Sequence, residues 1–135
     1  MPDRRIQPSS RRIRALVDGR MIVDTTNAVR VDEAGHAPVY YVPRADVAPD
    51  ALVPAQDART TTCPWKGAAT YFDVLAGDRR IPRGAWSYPE PLPEAEALRD
   101  RVAFYPHDLD ECWVGDRRAR PEANRYLGGW VTDTG

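Results

Sequence analysis

Apolar and polar residues alternate along most of the chain in short runs, and turn-forming residues cut those runs every few positions. Ile13-Arg14-Ala15-Leu16-Val17 and Arg20-Met21-Ile22-Val23 flank Asp18-Gly19, a pair that favours a two-residue β-hairpin turn. Ala28-Val29-Arg30-Val31 leads through Gly35-His36-Ala37-Pro38 into Val39-Tyr40-Tyr41-Val42, β-branched and aromatic enough to be a strand that Pro43 ends. Ala69–Leu75 predicts another strand, and Gly77-Asp78 a turn. The returning arm holds Arg80-Ile81 and Ala85-Trp86-Ser87-Tyr88, and its interruption by Pro82 and Gly84 predicts an edge or a bulge.

Residues 44–62 show neither helical nor strand periodicity and read as a loop, a length of irregular chain that tends to border a functional site. Pro93–Asp100 has proline in the first turn, acids early and arginine late, which predicts one short helix. Val102–Tyr105 predicts a buried strand, and Cys112–Asp116 a strand and turn. The expected architecture is therefore mainly β: seven to nine short strands in two antiparallel sheets with one short helix. In domain terms, residues 1–12 read as a flexible basic tail, 13–116 as one β-rich domain, and 117–135 as a polar, glycine-containing extension.

The chain has 135 residues, enough for one domain with a buried core and no need of a metal or disulfide staple. Its two cysteines, Cys63 and Cys112, are too few for a disulfide framework and read as thiols of a cytoplasmic, reducing compartment. No run of about 18 apolar residues exists to span a membrane. Ser10-Arg11-Arg12-Ile13-Arg14 has the look of a twin-arginine leader, but charged residues follow where an apolar segment belongs, so export is not expected. A net charge of −1 argues against a dedicated nucleic-acid binder. A homo-oligomer is compatible with everything in the sequence.

The basic residues are unevenly chosen, because nineteen lysines and arginines include a single lysine, Lys66. Either this is chance, or Lys66 marks a position where a compact ammonium serves and a planar guanidinium does not. It stands in Cys63-Pro64-Trp65-Lys66-Gly67, where proline and glycine restrict the backbone around a thiol, an indole and a cation. A cation beside a thiol raises its thiolate fraction, so Cys63 and Lys66 are the candidate catalytic residues; the ordinary role of such a cysteine is that of a small buried hydrophobe. Tyr40, Tyr41, Trp65, Tyr71, Trp86 and Tyr88 are core residues or the walls of a pocket with hydroxyl groups, and both readings stand. His36 and His107 are the only imidazoles, each in a turn-like setting, and His36 joins the candidate ligand-binding set. No metal-ligand spacing and no phosphate-cradling glycine motif occurs, so no metal and no cofactor is expected.

Four blocks occur together in order: Val39-Tyr40-Tyr41-Val42-Pro43, Cys63–Tyr71, Ala85–Leu92 and Val102-Ala103-Phe104-Tyr105-Pro106. Over residues 13 to 116 they resemble the domain of unknown function 427 family, and Gly128-Gly129-Trp130-Val131-Thr132 is similar to the tail of some members. The resemblance implies an Mss4-like, or β-tent, fold in which two antiparallel sheets lean together around a cleft. Zinc-holding Cys-x-x-Cys pairs of the wider group are missing here, as are the paired carboxylates that a nucleotidyltransferase-like label would require. The leading expectation is thus a small-molecule pocket between two sheets, with Lys66 serving an anionic or carbonyl-bearing ligand. Alternatives are a transferase-like enzyme with Cys63 as nucleophile or redox thiol, and a protein-interaction module.

Overall fold

A computed structural model describes residues 3–124 and 127–132. Parts of the expected tail and extension, at 1–2, 125–126 and 133–135, lie outside the described residues. The strands are β1 (Arg4–Ser9), β2 (Ile13–Val17), β3 (Arg20–Thr25), β4 (Ala28–Glu33), β5 (Val39–Pro43), β6 (Leu52–Pro54) and β7 (Thr61–Cys63). They continue with β8 (Gly67–Ala76), β9 (Arg79–Ser87), β10 (Arg101–Phe104), β11 (Glu111–Val114), β12 (Arg117–Pro121) and β13 (Trp130–Val131). Short 3₁₀ turns occupy Arg44–Asp46, Pro93–Leu98 and Pro106–Asp108.

Two antiparallel sheets result, as the alternation and turn spacing predict. The larger runs β1-β4-β5-β10-β9-β8-β6, with β7 pairing β8 off this path, and the smaller runs β13-β12-β11-β2-β3. The β2–β3 turn places both Asp18 and Gly19 at positive φ, 50° and 77°, which matches the right-handed twist of the flanking strands. The expected helix at 93–100 is instead a 3₁₀ segment that buries Ala95 and Leu98 against the large sheet and breaks helical geometry at Ala95.

The strand count exceeds the expected seven to nine because short edge strands carry little pattern. Residues 4–9, expected within a flexible tail, form β1 and pair with β4 from Arg4↔Glu33 to Ser9↔Ala28. Pro8 and four charged or polar neighbours hide it, yet an edge strand tolerates proline because its missing N–H costs no ladder bond. The stretch 44–62, expected as loop, contributes β6 and β7. The extension also belongs to the fold: β12 and β13 complete the small sheet. Trp130 is fully buried, stands edge-on to Tyr40 with ring centroids 5.8 Å apart, and donates its indole N–H to the Phe104 carbonyl at 3.0 Å.

Two hydrophobic clusters lie on opposite faces of the large sheet. The first fills the space between the sheets and gathers Ile13, Val17, Tyr40, Val42, Phe72, Val102, Phe104, Cys112 and Trp130. Burial there pushes the Cys112 thiol up to about 12, which leaves it inert. The second cluster covers the other face with Val31, Val39, Tyr41, Trp65, Trp86, Tyr88, Leu98 and Ala103. The large sheet curls around it until β1 meets the β7–β8 turn, where the Arg4 guanidinium lies 4.7 Å over the Trp65 ring.

A bulge in β9 sets part of this curvature. Phe72 pairs Ala85 and Val74 pairs Ile81, so Pro82, Arg83 and Gly84 face Asp73 alone. This is the interruption that Pro82 and Gly84 foretold. Asp73 is 1% exposed and accepts hydrogen bonds from the Arg83 backbone N–H at 2.8 Å, Arg80 Nε at 2.7 Å and the Gln56 N–H at 3.3 Å. Burial alone would raise its pKa, but these donors outweigh burial and hold it below the ordinary carboxylate range.

Two outcomes follow for stability. Trp130→Ala should lose about 3–5 kcal/mol, the scale for emptying a buried tryptophan site, and melt about 10–25 °C lower in calorimetry; an unchanged melt would mean that β13 is dispensable. Asp73→Asn should lose about 1–3 kcal/mol at neutral pH. Because the folded pKa is depressed, Asp73 contributes fully above its unfolded value of about 3.9 and the contribution fades as pH falls through the folded value. Denaturant midpoints of wild type and variant should therefore converge on acidification below about pH 4, and parallel curves would refute the assignment.

Candidate functional site

The Cys63–Gly67 segment is the turn of the β7–β8 hairpin, with Cys63 paired opposite Gly67. Gly67 has φ of 115°, a conformation that side chains resist, and a Cβ there would come within 3.2 Å of the Glu90 carbonyl. That close approach lets the 89–92 segment dock on the turn, with the Leu92 N–H donating to the Lys66 carbonyl at 3.0 Å. The turn thereby points Lys66 inward. Its side chain is 11% exposed, its ammonium donates to Glu33 Oε1 at 2.9 Å, and the same ammonium lies 5.0 Å from the Trp65 ring centre and 5.7 Å from that of Tyr88.

This ion pair stands in the wall of a cavity of about 150 Å³ on the curled face of the large sheet. Tyr41, Tyr71, Trp86, Tyr88 and Tyr105 form the aromatic walls, with Val31, Val39, His36, Ala37 and Leu127 completing them. Strand alternation explains the gathering: Val39 and Tyr41 of β5 face the cavity while Tyr40 and Val42 face the core between the sheets. The expected position between two sheets is therefore corrected, since that space is filled by the first hydrophobic cluster and the cavity lies on the opposite face.

Of the residues singled out from sequence, His36, Tyr41, Lys66, Tyr71, Trp86 and Tyr88 line the cavity. Tyr40 does not; its ring packs on Trp130 in the inter-sheet core. Trp65 is buried beside Lys66 and beneath Arg4 without lining the cavity. Cys63 is half-buried against the second cluster and is likewise absent from the lining. Sequence reasoning missed Glu33 and Tyr105. Glu33 is fixed by pairing 33 positions away from Lys66, which no local pattern reveals, whereas Tyr105 sat in view within the Val102–Pro106 block.

The rings are locked against one another. Trp86 donates its indole N–H to the Tyr41 hydroxyl at 3.3 Å, and its ring lies 4.4 Å from that of Tyr105. Burial, then the neighbouring Tyr88, pushes Tyr41 well above the ordinary phenol range. Tyr88 is raised by burial and next by the Cys63 thiol, and Tyr105 by burial and then Tyr71. These hydroxyls stay protonated at any physiological pH and hydrogen-bond in pairs, Tyr41 with Tyr88 and Tyr71 with Tyr105. The cavity thus offers neutral donors, one ammonium and one carboxylate between aromatic walls. Among the described residues no three His, Cys, Asp or Glu side chains gather in a way that could hold a metal ion, and no helix is long and apolar enough to cross a membrane.

The C-terminal segment closes one side through Leu127. It approaches so closely that a Cβ on Gly129 would overlap the Glu122 carboxylate and stand 2.7 Å from the Ala37 carbonyl. Glu122 accepts from the backbone N–H groups of both Ala37 and Gly129, at 3.0 and 2.9 Å, clamping the β4–β5 loop to the tail.

No curated protein matches the chain. The family described as domain of unknown function (DUF427) matches residues 5–115, a span that begins within β1, takes in Glu33, the Cys63–Gly67 turn and all of the aromatic walls, and ends after β11. By that match the chain belongs to the DUF427 family.

Proposed function

We propose that the chain is a binding protein for a small carbonyl-bearing molecule, carried as a carboxylate, that enters the aromatic cavity and accepts from the Lys66 ammonium. The observation that carries this reading is the placement of the only lysine. Lys66 is almost withdrawn from solvent, is oriented by Glu33, and shares one enclosed wall with five aromatic residues. The Glu33 carboxylate offsets the cost of withdrawing the ammonium from water, and an ammonium has three hydrogens, of which Glu33 uses one. The flat rings suit a ligand with a planar body, and the paired tyrosine hydroxyls give its polar edge a neutral, hydrogen-bonding wall. Both cysteines are free thiols, which supports a reducing, cytoplasmic setting.

Glu33 sharpens the test because it neutralises Lys66. Removing its charge leaves the ammonium's field uncompensated in the cavity, so an anion should bind more tightly. Benzoate titrated against intrinsic tryptophan fluorescence reports on Trp86 in the wall. Glu33→Gln should tighten benzoate by about tenfold, equivalent to about 1.4 kcal/mol. Lys66→Met keeps the stem's packing and deletes the charge, and should weaken benzoate by about 2–5 kcal/mol. Lys66→Arg should fail to restore binding, since a planar fork does not replace a compact ammonium between two rings. Equal affinities for benzoate across wild type, Glu33→Gln and Lys66→Met would end this proposal.

A further inference from the structure

On the far side of Tyr71 and Tyr105, a second recess of about 480 Å³ opens, walled also by Thr61, Pro82, Arg83, His107 and Asp108. Its cation is Arg83, and this arginine is held more firmly than any surface role demands. The residue has φ of 50°, a left-handed backbone that non-glycine residues adopt at a cost and that surrounding contacts must enforce. Asp73 enforces it by accepting the Arg83 backbone N–H at 2.8 Å from within the core.

The side chain is fixed just as closely. Arg83 Nη1 donates to the carbonyls of Asp57 and Arg59, both at 2.8 Å, and the guanidinium carbon lies 3.8 Å over the Tyr71 ring. All of these contacts use Nη1 or the guanidinium's face. Nε and Nη2 make no hydrogen bond among the described residues, and neither is a buried group left without a partner, so both reach solvent although the side chain is only 23% exposed. Adjacent N–H donors in one plane make a fork that fits the two oxygens of an oxyanion.

The nearby acids do not occupy that fork. Asp57 is engaged by Arg59 through Nε and Nη2, at 2.9 and 2.6 Å, and lies 3.8 Å from Arg83 on the Nη1 side. Asp108 faces His107 Nε2 at 3.3 Å. Thr61 adds a hydroxyl that is already positioned by the Tyr71 hydroxyl at 2.9 Å, and Pro82 with the tyrosine rings offers apolar surface beside it. Strain, burial and stacking together pre-order the guanidinium, so a ligand meets little entropic penalty in using it.

We infer that this recess is an oxyanion-binding site, in which the Nε–Nη2 edge of Arg83 receives a carboxylate or phosphate group in bidentate fashion while Pro82 and the tyrosines hold an attached apolar body. The site is separate from the Lys66 cavity and does not depend on the function proposed for it. Tyr71 and Tyr105 are the partition between the two.

The test is a ¹⁵N NMR titration of the full chain with phenyl phosphate, with phenylacetate, and with 2-phenylethanol as the neutral control. Saturable shifts are expected at Thr61, Arg83 and His107 with one or both anions and not with the alcohol; the tighter anion identifies the group as phosphate or carboxylate. Arg83→Asn keeps a residue that tolerates positive φ while removing the guanidinium, and should weaken the anion at least tenfold. Lys66→Met should leave that affinity unchanged, whereas the benzoate site should respond in the opposite pattern. If thermal melts show that Arg83→Asn is unfolded, Arg83→Lys, which keeps a charge and loses the fork, should still weaken the anion severalfold. Absence of saturation with either anion up to about 10 mM, tenfold above a Kd of about 1 mM for a weak specific site, would overturn the inference. So would equal binding of the alcohol, or an affinity unmoved in a folded Arg83 variant.

Discussion

The large sheet is buried on both faces, and the double burial of β5 is the constraint on which the rest of the molecule depends. Val39 through Val42 are all withdrawn from solvent, so the strand serves two packing layers at once. Tyr40 and Val42 join the core beneath the small sheet, and Val39 and Tyr41 build the wall of the cavity. A sheet with two dry faces needs cover on both sides. The small sheet supplies one cover. On the other side, no further sheet lies among the described residues, and the large sheet curls on itself until the β7–β8 turn reaches β4. Lys66 to Glu33 and Arg4 over Trp65 join those two margins, so the contacts that shape the cavity are also those that close the curl.

Two carboxylates show how burial sorts structural from chemical roles. Asp73 is sealed from solvent with three donors converging on it, two of them from β9 on either side of Pro82 in its bulge and one from the segment after β6. Its charge is spent on backbone geometry. Glu33 pairs with the Lys66 ammonium alone among the described residues, and its side chain is 28% exposed at the rim of the cavity. It keeps acceptor capacity that the fold does not use. The same contrast separates the arginines: Arg80 ends on Asp73, while Arg83 has its backbone pinned by Asp73 and its guanidinium left with one open edge.

Much of this was legible in the residue pattern, and the limits have physical causes. Asp18-Gly19 specified the β2–β3 hairpin because few other pairs accept positive φ twice in succession. Pro82 and Gly84 announced the β9 bulge because neither suits a regular ladder. Proline and glycine in Cys63–Gly67 mark a restrained segment, and the structure makes it a turn that aims Lys66 inward. What the pattern could not supply was pairing over distance. Period-2 alternation places Tyr40 and Tyr41 on opposite faces, but nothing local says which face holds the core. Trp130 follows a glycine pair in a polar stretch, and its burial depends on a shaft between Tyr40 and Phe104 that only the assembled sheets create. Residues 4–9 have no alternation of their own strong enough to be read as a strand; β4 imposes it.

The single lysine is best understood against the eighteen arginines around it. Most of the arginine pairs, such as Arg12 with Asp24, Arg59 with Asp57 and Arg99 with Glu96, are solvent-exposed, where an ion pair contributes little and either cation would do. Lys66 is different in kind. Its ammonium must lie close to the Trp65 and Tyr88 rings and still reach Glu33, and Trp65 already carries the Arg4 guanidinium at 4.7 Å. A compact ammonium satisfies Glu33 with one hydrogen and has two more to direct elsewhere. In a chain that otherwise uses arginine throughout, the one lysine therefore stands where its ammonium meets two aromatic rings and a carboxylate at once.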